Sequence, residues 1–158
     1  LLLYLKGLPS ATKSLFQQLG KRFDIKDEGR LDHYLGIDIC QDVNAGTTSL
    51  SQEGYISSIL HDFGMTECRE AKEPITSDFI RRAREETGEE ATAFGIYACA
   101  VGKLVHLAAA TRCDITFAVR FLSKYSSKNT KVHWSGVTHL LRYLSATKHW
   151  SITYYADK

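Results

Sequence analysis

The spacing of hydrophobic positions changes along this 158-residue chain, and the change predicts the order of its elements. Over the first 65 residues, short stretches with a period near two, typical of strands, lie around two helical patterns. From residue 93 onward, apolar residues recur every three or four positions, which is typical of helices that bury one face. The pattern predicts an α+β fold: an N-terminal β-hairpin and strand segment with two short helices, then a three-helix C-terminal bundle and a terminal strand.

Two helices are predicted in the N-terminal part. After an apolar run at residues 1–5, which indicates a buried strand, Ser10 is expected to cap a helix that ends at Gly20. Ser51 is expected to cap a second helix over residues 52–63, whose apolar positions recur at helical spacing.

Extended segments lie between these helices. Residues 22–26 alternate polar and apolar side chains, residues 27–29 supply turn chemistry, and residues 33–40 resume an extended pattern. This predicts a β-hairpin between 22–26 and 33–40. A short strand at 47–50 follows an Asn-Ala-Gly loop and can pair with the preceding strand as a second hairpin.

Three helical patterns fill the C-terminal part, at residues 93–110, 114–125 and 130–147. Each has a wide apolar stripe, so the three helices are expected to pack together, with Trp134 in their core. Asp114 and Thr130 are expected to cap the second and third helices. The pattern at residues 151–155 predicts a terminal strand.

Residues 66–92 have few apolar positions and a mixed-charge run at 81–86, which predicts a surface loop or mobile linker. We therefore predict four parts: 1–65 a segment of hairpins and short helices, 66–92 a linker, 93–150 a helical segment, and 151–158 the beginning of another domain.

Composition excludes several classes of protein. The net charge of +2 is compatible with nucleic acid but does not require it. Four cysteines at long, irregular gaps and scattered histidines argue against a metal site and indicate reduced, partly buried thiols. No apolar run approaches the roughly 20 residues of a membrane span, and no signal peptide is evident. We expect an intracellular protein, cytoplasmic or nuclear, with no membrane contact.

An ordered series of motifs carries a family resemblance. In chain order, the motifs are Phe23-x-Ile25-Lys26-Asp27-x-Gly29, Tyr34-Leu35-Gly36-Ile37, Leu50-Ser51-Gln52-x-x-Tyr55-Ile56, Tyr97-x-x-x-Val101-Gly102-Lys103-Leu104, Thr111-Arg112-x-Asp114-Ile115, Thr130-Lys131-x-His133-Trp134 and Leu141-Arg142-Tyr143-Leu144. The series resembles the reverse transcriptase of copia-type LTR retrotransposon Pol polyproteins, from just after the polymerase active site to the start of RNase H. The resemblance implies that 1–65 form a palm-end, primer-grip-like hairpin with a thumb-like helix, that 93–150 form a helical thumb or connection segment, and that 151–158 begin an RNase H-like domain.

The resemblance implies an RNA-directed DNA polymerase that uses two Mg²⁺ ions held by aspartates of a Tyr-x-Asp-Asp signature. This chain contains no such tetrapeptide. In the alignment that we prefer, the signature falls just before Leu1. In a second alignment, Tyr4-Leu5-Lys6-Gly7 occupies it, with Lys6 and Gly7 replacing the aspartates. Either way, we expect no catalytic residue and no cofactor in this chain, which is expected to be inactive alone.

The C-terminal end resembles the beginning of an RNase H domain, where Asp157 matches the first metal-binding carboxylate. One carboxylate cannot hold two divalent ions, so no metal site is expected here. Both ends of the chain look cut. Three departures from the family pattern, at Cys113, Asn129 and Ser145-Ala146, suggest a relaxed or decaying copy.

The resemblance implies a segment that positions primer–template nucleic acid, an RNA–DNA or DNA duplex, beside the palm, fingers and RNase H parts of Pol. Phosphate contacts require Lys and Arg side chains. The predicted nucleic-acid-binding residues are Lys21, Arg22, Lys26, Arg30, Arg112, Lys131 and Arg142, with further basic residues on the helical half at Arg120, Lys124, Lys128 and Lys148. The alternative is a degenerate or co-opted module that binds protein and has no catalytic role.

Overall fold

The computed structural model describes residues 9–25, 31–88 and 94–156, with side chains from 13, 31 and 95 onward in these ranges. The chain forms two compact units, residues 1–31 and residues 32–158. The strand predicted at 1–5 and the turn predicted at 27–29 lie outside the described residues.

The described residues are mixed α and β, as predicted, and a strand closes the C-terminal end. The helices are α1 (Pro9–Gly20), α2 (Glu53–Asp62), α3 (Ser77–Glu85), α4 (Phe94–Ala110), α5 (Thr116–Ser123) and α6 (Lys131–Ala146). The strands are β1 (His33–Tyr34), β2 (Ile37–Asp42), β3 (Thr47–Ser51) and β4 (Ser151–Tyr155). Among the described helices, none has the length and apolar character needed to cross a membrane.

The first unit contains the predicted helix α1. The helix already includes Pro9, so Ser10 lies in its first turn and is not its cap. After the helix, the N–H groups of Arg22 and Phe23 both donate to the Leu19 carbonyl at 3.0 Å. These hydrogen bonds close a turn directly after the helix, and residues 22–25 form no strand. The prediction of a hairpin between 22–26 and 33–40 is therefore wrong.

The second unit opens with an antiparallel sheet in the order β1-β2-β3-β4. The predicted pairing of 47–50 with the preceding strand is confirmed, since Leu50 pairs with Ile39. The predicted terminal strand is also confirmed, because Ile152 pairs with the other side of Leu50. The chain thus returns to the sheet after all the helices.

A two-residue turn divides the segment that was expected to be one continuous strand at 33–40. Leu35 and Gly36 have φ angles of 50° and 77°, and Tyr34 pairs with Ile37 across them. Two consecutive left-handed residues make a type I′ turn, which suits the twist of an antiparallel hairpin. Glycine adopts this conformation freely, whereas leucine at the first position is strained.

Replacing this leucine should stabilise the protein. Leu35 is 66% exposed, so Leu35→Asn loses little burial, and asparagine tolerates the left-handed conformation. We expect the free energy of unfolding to rise by about 0.5–1 kcal/mol in urea denaturation. The control is Val43→Asn, which is 81% exposed in the next turn and has no positive φ, and should change stability by less than about 0.5 kcal/mol. Equal effects at the two positions would contradict the strain at Leu35.

Helix α2 begins one residue later than predicted, and Ser51 does not cap it. Ser51 is the last residue of β3 and pairs with Asp38 and Ser151, so its backbone is committed to the sheet. Gln52 occupies the cap position instead, where its buried side-chain oxygen accepts a hydrogen bond from the Thr111 hydroxyl at 2.8 Å. This contact joins the beginning of α2 to the end of α4.

Helix α3 lies inside the segment predicted to be a linker, and for residues 77–85 that prediction is wrong. The Thr76 hydroxyl caps the helix by accepting from the Phe79 N–H at 3.1 Å. Only Phe79 and Ala83 are buried on it, one turn apart. Such a narrow apolar stripe between charged residues looks like a polar loop when only composition is considered.

Helices α4, α5 and α6 form the predicted bundle, and α2 and α3 pack against α6. The core is continuous through Leu104, Leu107, Ile115, Leu140 and Leu144, all fully buried. The expectation that Trp134 packs against this core is confirmed.

The N-terminus of α6 is tightly held. Thr130 is the cap residue, as predicted. The His133 Nδ1 accepts from the Thr130 N–H and lies 3.0 Å from its hydroxyl, while Nε2 lies 3.1 Å from the Ala83 carbonyl. These contacts place the ring proton on Nε2 and tie α6 to α3.

Candidate nucleic-acid interface

The predicted contacts near the N-terminus fall into two groups. Lys21 and Arg22 directly follow α1, and both are exposed. Lys26 and Arg30 lie outside the described residues, as does Asp157. The nucleic-acid role of the four basic residues, and the RNase H role of Asp157, stay predictions.

Arg112 does not lie on the surface, which corrects its expected role. Its side chain is 2% exposed, and it donates from Nε and Nη2 to the two carboxylate oxygens of Asp114 at 3.0 and 2.8 Å. It also donates to the carbonyl and hydroxyl of Thr147 at 3.1 and 2.6 Å. The rings of Tyr143 and Trp150 lie 5.5 Å from its guanidinium carbon. Because these donors are occupied and the side chain is covered, Arg112 joins the end of α6 to the turn after α4, and a phosphate cannot reach it.

Asp114 completes this cluster, and it is not the helix cap that the sequence suggested. It lies in a 3-10 turn, Cys113–Ile115, and Ile115 precedes α5 as its cap. Its carboxylate accepts from the Tyr143 hydroxyl at 2.8 Å as well as from Arg112. Burial raises the pKa of Asp114, but the hydrogen bonds from Arg112 and Tyr143 and the guanidinium charge outweigh it and leave the pKa below its usual value. Burial, with this hydrogen bond, raises the pKa of Tyr143.

Lys131 and Arg142 are eleven positions apart on α6, about three turns, which places them on the same side of the helix. Their surroundings differ. Lys131 is exposed in the first turn, whereas Arg142 is half-buried and donates from Nε to the Arg69 carbonyl. Ala71 donates its N–H to the Arg142 carbonyl at 3.3 Å. Arg142 therefore holds the segment that precedes α3, and Lys131 is the freer of the two cations.

Exposed cations are concentrated where α5 connects to α6. We call this surface the α5–α6 basic segment; it consists of Arg120, Lys124, Lys128 and Lys131. All four are exposed. Arg120 and Lys124 are one helical turn apart, and the Lys124 ammonium lies 5.9 Å from the centroid of the Phe121 ring. Four cations within twelve residues give a surface suited to phosphates.

The surrounding sequence contains no compensating charge. Residues 115–156 include six Lys and Arg and no Asp or Glu, so the other residues, with fourteen basic and eighteen acidic side chains, are net negative. The near-neutral net charge of the whole chain conceals this separation of basic and acidic residues along the sequence. Counting charged residues in short windows along the sequence would have shown the separation, whereas the net charge of the whole chain did not.

The basic residues of α3 are different, because acidic neighbours neutralise them. Arg81 donates to Asp78 at 2.7 Å and lies 3.6 Å from Glu85, and Arg82 lies 3.1 Å from Asp78. These exposed pairs leave little net potential for a phosphate. Among the described residues, the cations of α3 are thus paired, whereas the four cations of the α5–α6 basic segment form no ion pair.

Comparison with known proteins supports the family to which the motifs point. The family model described as reverse transcriptase (RNA-dependent DNA polymerase) matches residues 7–77. The retrovirus-related Pol polyprotein from transposon TNT 1-94 of Nicotiana tabacum is 33% identical over 148 residues, which cover 90% of this chain and 11% of the relative. The corresponding protein from transposon RE1 of Arabidopsis thaliana is 31% identical, over 88% of this chain and 9% of its own length. The chain belongs to the retrotransposon reverse transcriptase family.

The match to this family extends over most of the chain but over little of the relatives. A putative transposon Ty5-1 protein of Saccharomyces cerevisiae is 28% identical over 87% of this chain and 44% of its own length. The chain thus spans about a tenth of the plant Pol polyproteins. An alignment that covers 90% of the chain must include the α5–α6 basic segment. No solved structure matches this chain.

Within the described part of the chain, no group of three or more His, Cys, Asp or Glu side chains is placed to hold a metal ion. The four cysteines are unpaired, but only Cys68 is partly buried, and the other three are exposed. The expectation of partly buried thiols is therefore wrong for those three.

Proposed function

We propose that this chain positions primer–template nucleic acid for a retrotransposon reverse transcriptase and that the aspartates which perform synthesis belong to another part of the enzyme. The family membership supports the polymerase context. The α5–α6 basic segment carries the proposal, because exposed cations in a stretch of sequence without carboxylates attract phosphates regardless of base sequence. The partner would be an RNA–DNA or DNA duplex.

In this proposal, the chain needs no metal of its own. The Mg²⁺ ions of the intact enzyme would be held by carboxylates outside it, since the sequence lacks the Tyr-x-Asp-Asp signature. The other parts of Pol would be its protein partners. Copying of a retrotransposon RNA would place the protein inside the cell, in the cytoplasm or the nucleus.

Removing the charges of the α5–α6 basic segment should weaken duplex binding. In a variant with Arg120, Lys124, Lys128 and Lys131 replaced by Gln, we expect the Kd for an RNA–DNA duplex to rise at least tenfold at low salt. The slope of log affinity against log salt should flatten by about 0.9 for each phosphate that the variant no longer neutralises. Fluorescence anisotropy with a labelled duplex, at several salt concentrations, measures both quantities.

A matched control removes the same number of charges elsewhere. Replacing Lys72, Arg81, Arg82 and Arg84 by Gln changes the net charge equally, on a surface that includes the neutralised helix α3. This variant should retain most of the affinity. Equal losses in the two variants would show a nonspecific charge effect, and no duplex binding by the unaltered chain would reject the proposal. Mg²⁺-dependent nucleotide incorporation by the purified chain would disprove the absence of a polymerase site.

A second candidate is a co-opted module that binds protein. In the described part of helices α4 and α5, three large apolar side chains are exposed, Ile96 at 50%, Val105 at 47% and Phe117 at 62%. Protein binding would require them to form one contiguous apolar patch. Polar substitution of these residues should leave duplex binding unchanged in the first proposal.

A further inference from the structure

A cavity of about 230 Å³ lies at the N-terminus of α6 and is lined by Gly88, Lys128, Asn129 and Thr130. Helix α6 has 16 residues, so the N–H groups of its first turn form a well-developed positive end. The hydroxyl and N–H of Thr130 are engaged with His133. The N–H groups of Lys131 and Val132 have no acceptor within the helix, because helical bonds begin four residues later.

Asn129 supplies an independent observation at this place. It is 0% exposed, and neither its Oδ1 nor its Nδ2 has a hydrogen-bond partner. Buried amides almost always have partners, because leaving one unpaired is costly. An unpaired amide beside a helix N-terminus therefore indicates that a polar ligand completes the site.

The charged residues around the cavity indicate which class of ligand it favours. Lys128 lines it and Lys131 begins the helix beside it, within the stretch that has no carboxylate. Among the described residues near Gly88, Glu86 supplies a carboxylate, whose Oε1 accepts from the Gly88 N–H at 2.7 Å. The two lysines and the helix N-terminus at the cavity favour an anion with several acceptor oxygens.

We infer that this cavity is a phosphate-binding site, in which the Asn129 amide, the Lys128 ammonium and the first N–H groups of α6 share one phosphate group. This inference rests on the proposed function, because it gives the α5–α6 basic segment one fixed phosphate position among diffuse contacts. The phosphate can belong to a nucleic-acid backbone or be free inorganic phosphate, since the same donors recognise both.

The test is a titration of the full chain with inorganic phosphate, followed by the ¹H–¹⁵N NMR signals of residues 129–132, with chloride at equal ionic strength as reference. We expect saturable shifts with phosphate and none with chloride. Asn129→Asp keeps the size of the side chain but places a charge against the anion, and should raise the phosphate Kd at least tenfold. Lys72→Gln, which removes an exposed cation elsewhere, should leave the phosphate Kd unchanged, and thermal melts verify that both variants fold.

A parallel titration with RNA–DNA duplex distinguishes the sources and separates the two proposals. If Asn129→Asp weakens the binding of both ligands, the site holds a backbone phosphate; if it weakens inorganic phosphate alone, the site holds the free ion. Unsaturable shifts, or a phosphate Kd equal in Asn129→Asp and the unaltered chain, would overturn the inference. In that case, duplex binding that still depends on the α5–α6 basic segment would leave the proposed function intact.

Discussion

Replacing Gly136 by Ala should destabilise the protein by about 2–3 kcal/mol, although alanine is the better helix former. A Cβ built at Gly136 lies 2.7 and 2.8 Å from two ring carbons of Phe79 and still closer to a third. The ring cannot easily retreat, because Phe79 is 6% exposed and packs edge-on against Phe121 at 6.2 Å. The missing side chain is what allows α3 to lie against α6. Urea denaturation of the two proteins measures the loss.

Gly102 is the matched control, since it also lies inside a long helix, but among the described residues no heavy atom beyond its neighbouring residues and the backbone of its own helix lies within 4 Å of an added Cβ. Gly102→Ala should stabilise the protein by up to about 1 kcal/mol through helix propensity alone. Phe79→Leu should in turn make Gly136→Ala nearly neutral, because the smaller side chain makes room for the methyl group. A destabilisation by Gly136→Ala that persists in the Phe79→Leu background would disprove the steric explanation.

The same contact shows why sequence alone could predict α6 but not α3. The apolar stripe of α6 is wide and repeats over four turns, so its periodicity is strong. Helix α3 buries two side chains, and one of them depends on a glycine that lies 57 positions further along the chain. Periodicity reports only which neighbouring positions in the sequence are apolar. It cannot show that the Phe79 ring packs against a glycine in a distant helix.

The candidate site follows a similar rule. Exposed cations such as Lys131 could be proposed from their place in a motif, because solvation leaves lysine on the surface by default. Arg112 stands in an equally suggestive motif, but its position was decided by Thr147 and Asp114, one of which lies 35 residues away. A motif therefore predicts the type of residue and its approximate place, while the buried or exposed state of an arginine depends on partners that the motif does not contain.

Arg112→Met should cost about 3 kcal/mol of stability at neutral pH, since it leaves the partly buried Asp114 carboxylate with only the Tyr143 hydroxyl as side-chain donor and removes the guanidinium donor of the Thr147 carbonyl. The methionine side chain fills much of the volume of the arginine side chain between Tyr143 and Trp150, so the substitution mainly removes the charge and the hydrogen bonds. Arg81→Met is the matched control: Arg81 is also paired with acidic residues but is 63% exposed, and its loss should cost less than about 1 kcal/mol. Similar losses for the two variants in urea denaturation would contradict the role given to the buried pair.

The pH dependence of this loss separates electrostatics from packing. In the unaltered protein the pKa of Asp114 is lowered, so its contribution to stability is present above the unfolded pKa of about 3.9 and is lost as the pH falls through the folded value. Without Arg112, burial raises the pKa of Asp114, and protonation relieves the uncompensated charge. The stability difference between the two proteins should therefore shrink from pH 7 to pH 3.5. A difference that stays constant over this range would assign the effect of Arg112 to packing against the Tyr143 and Trp150 rings, because that contribution has no titrating group.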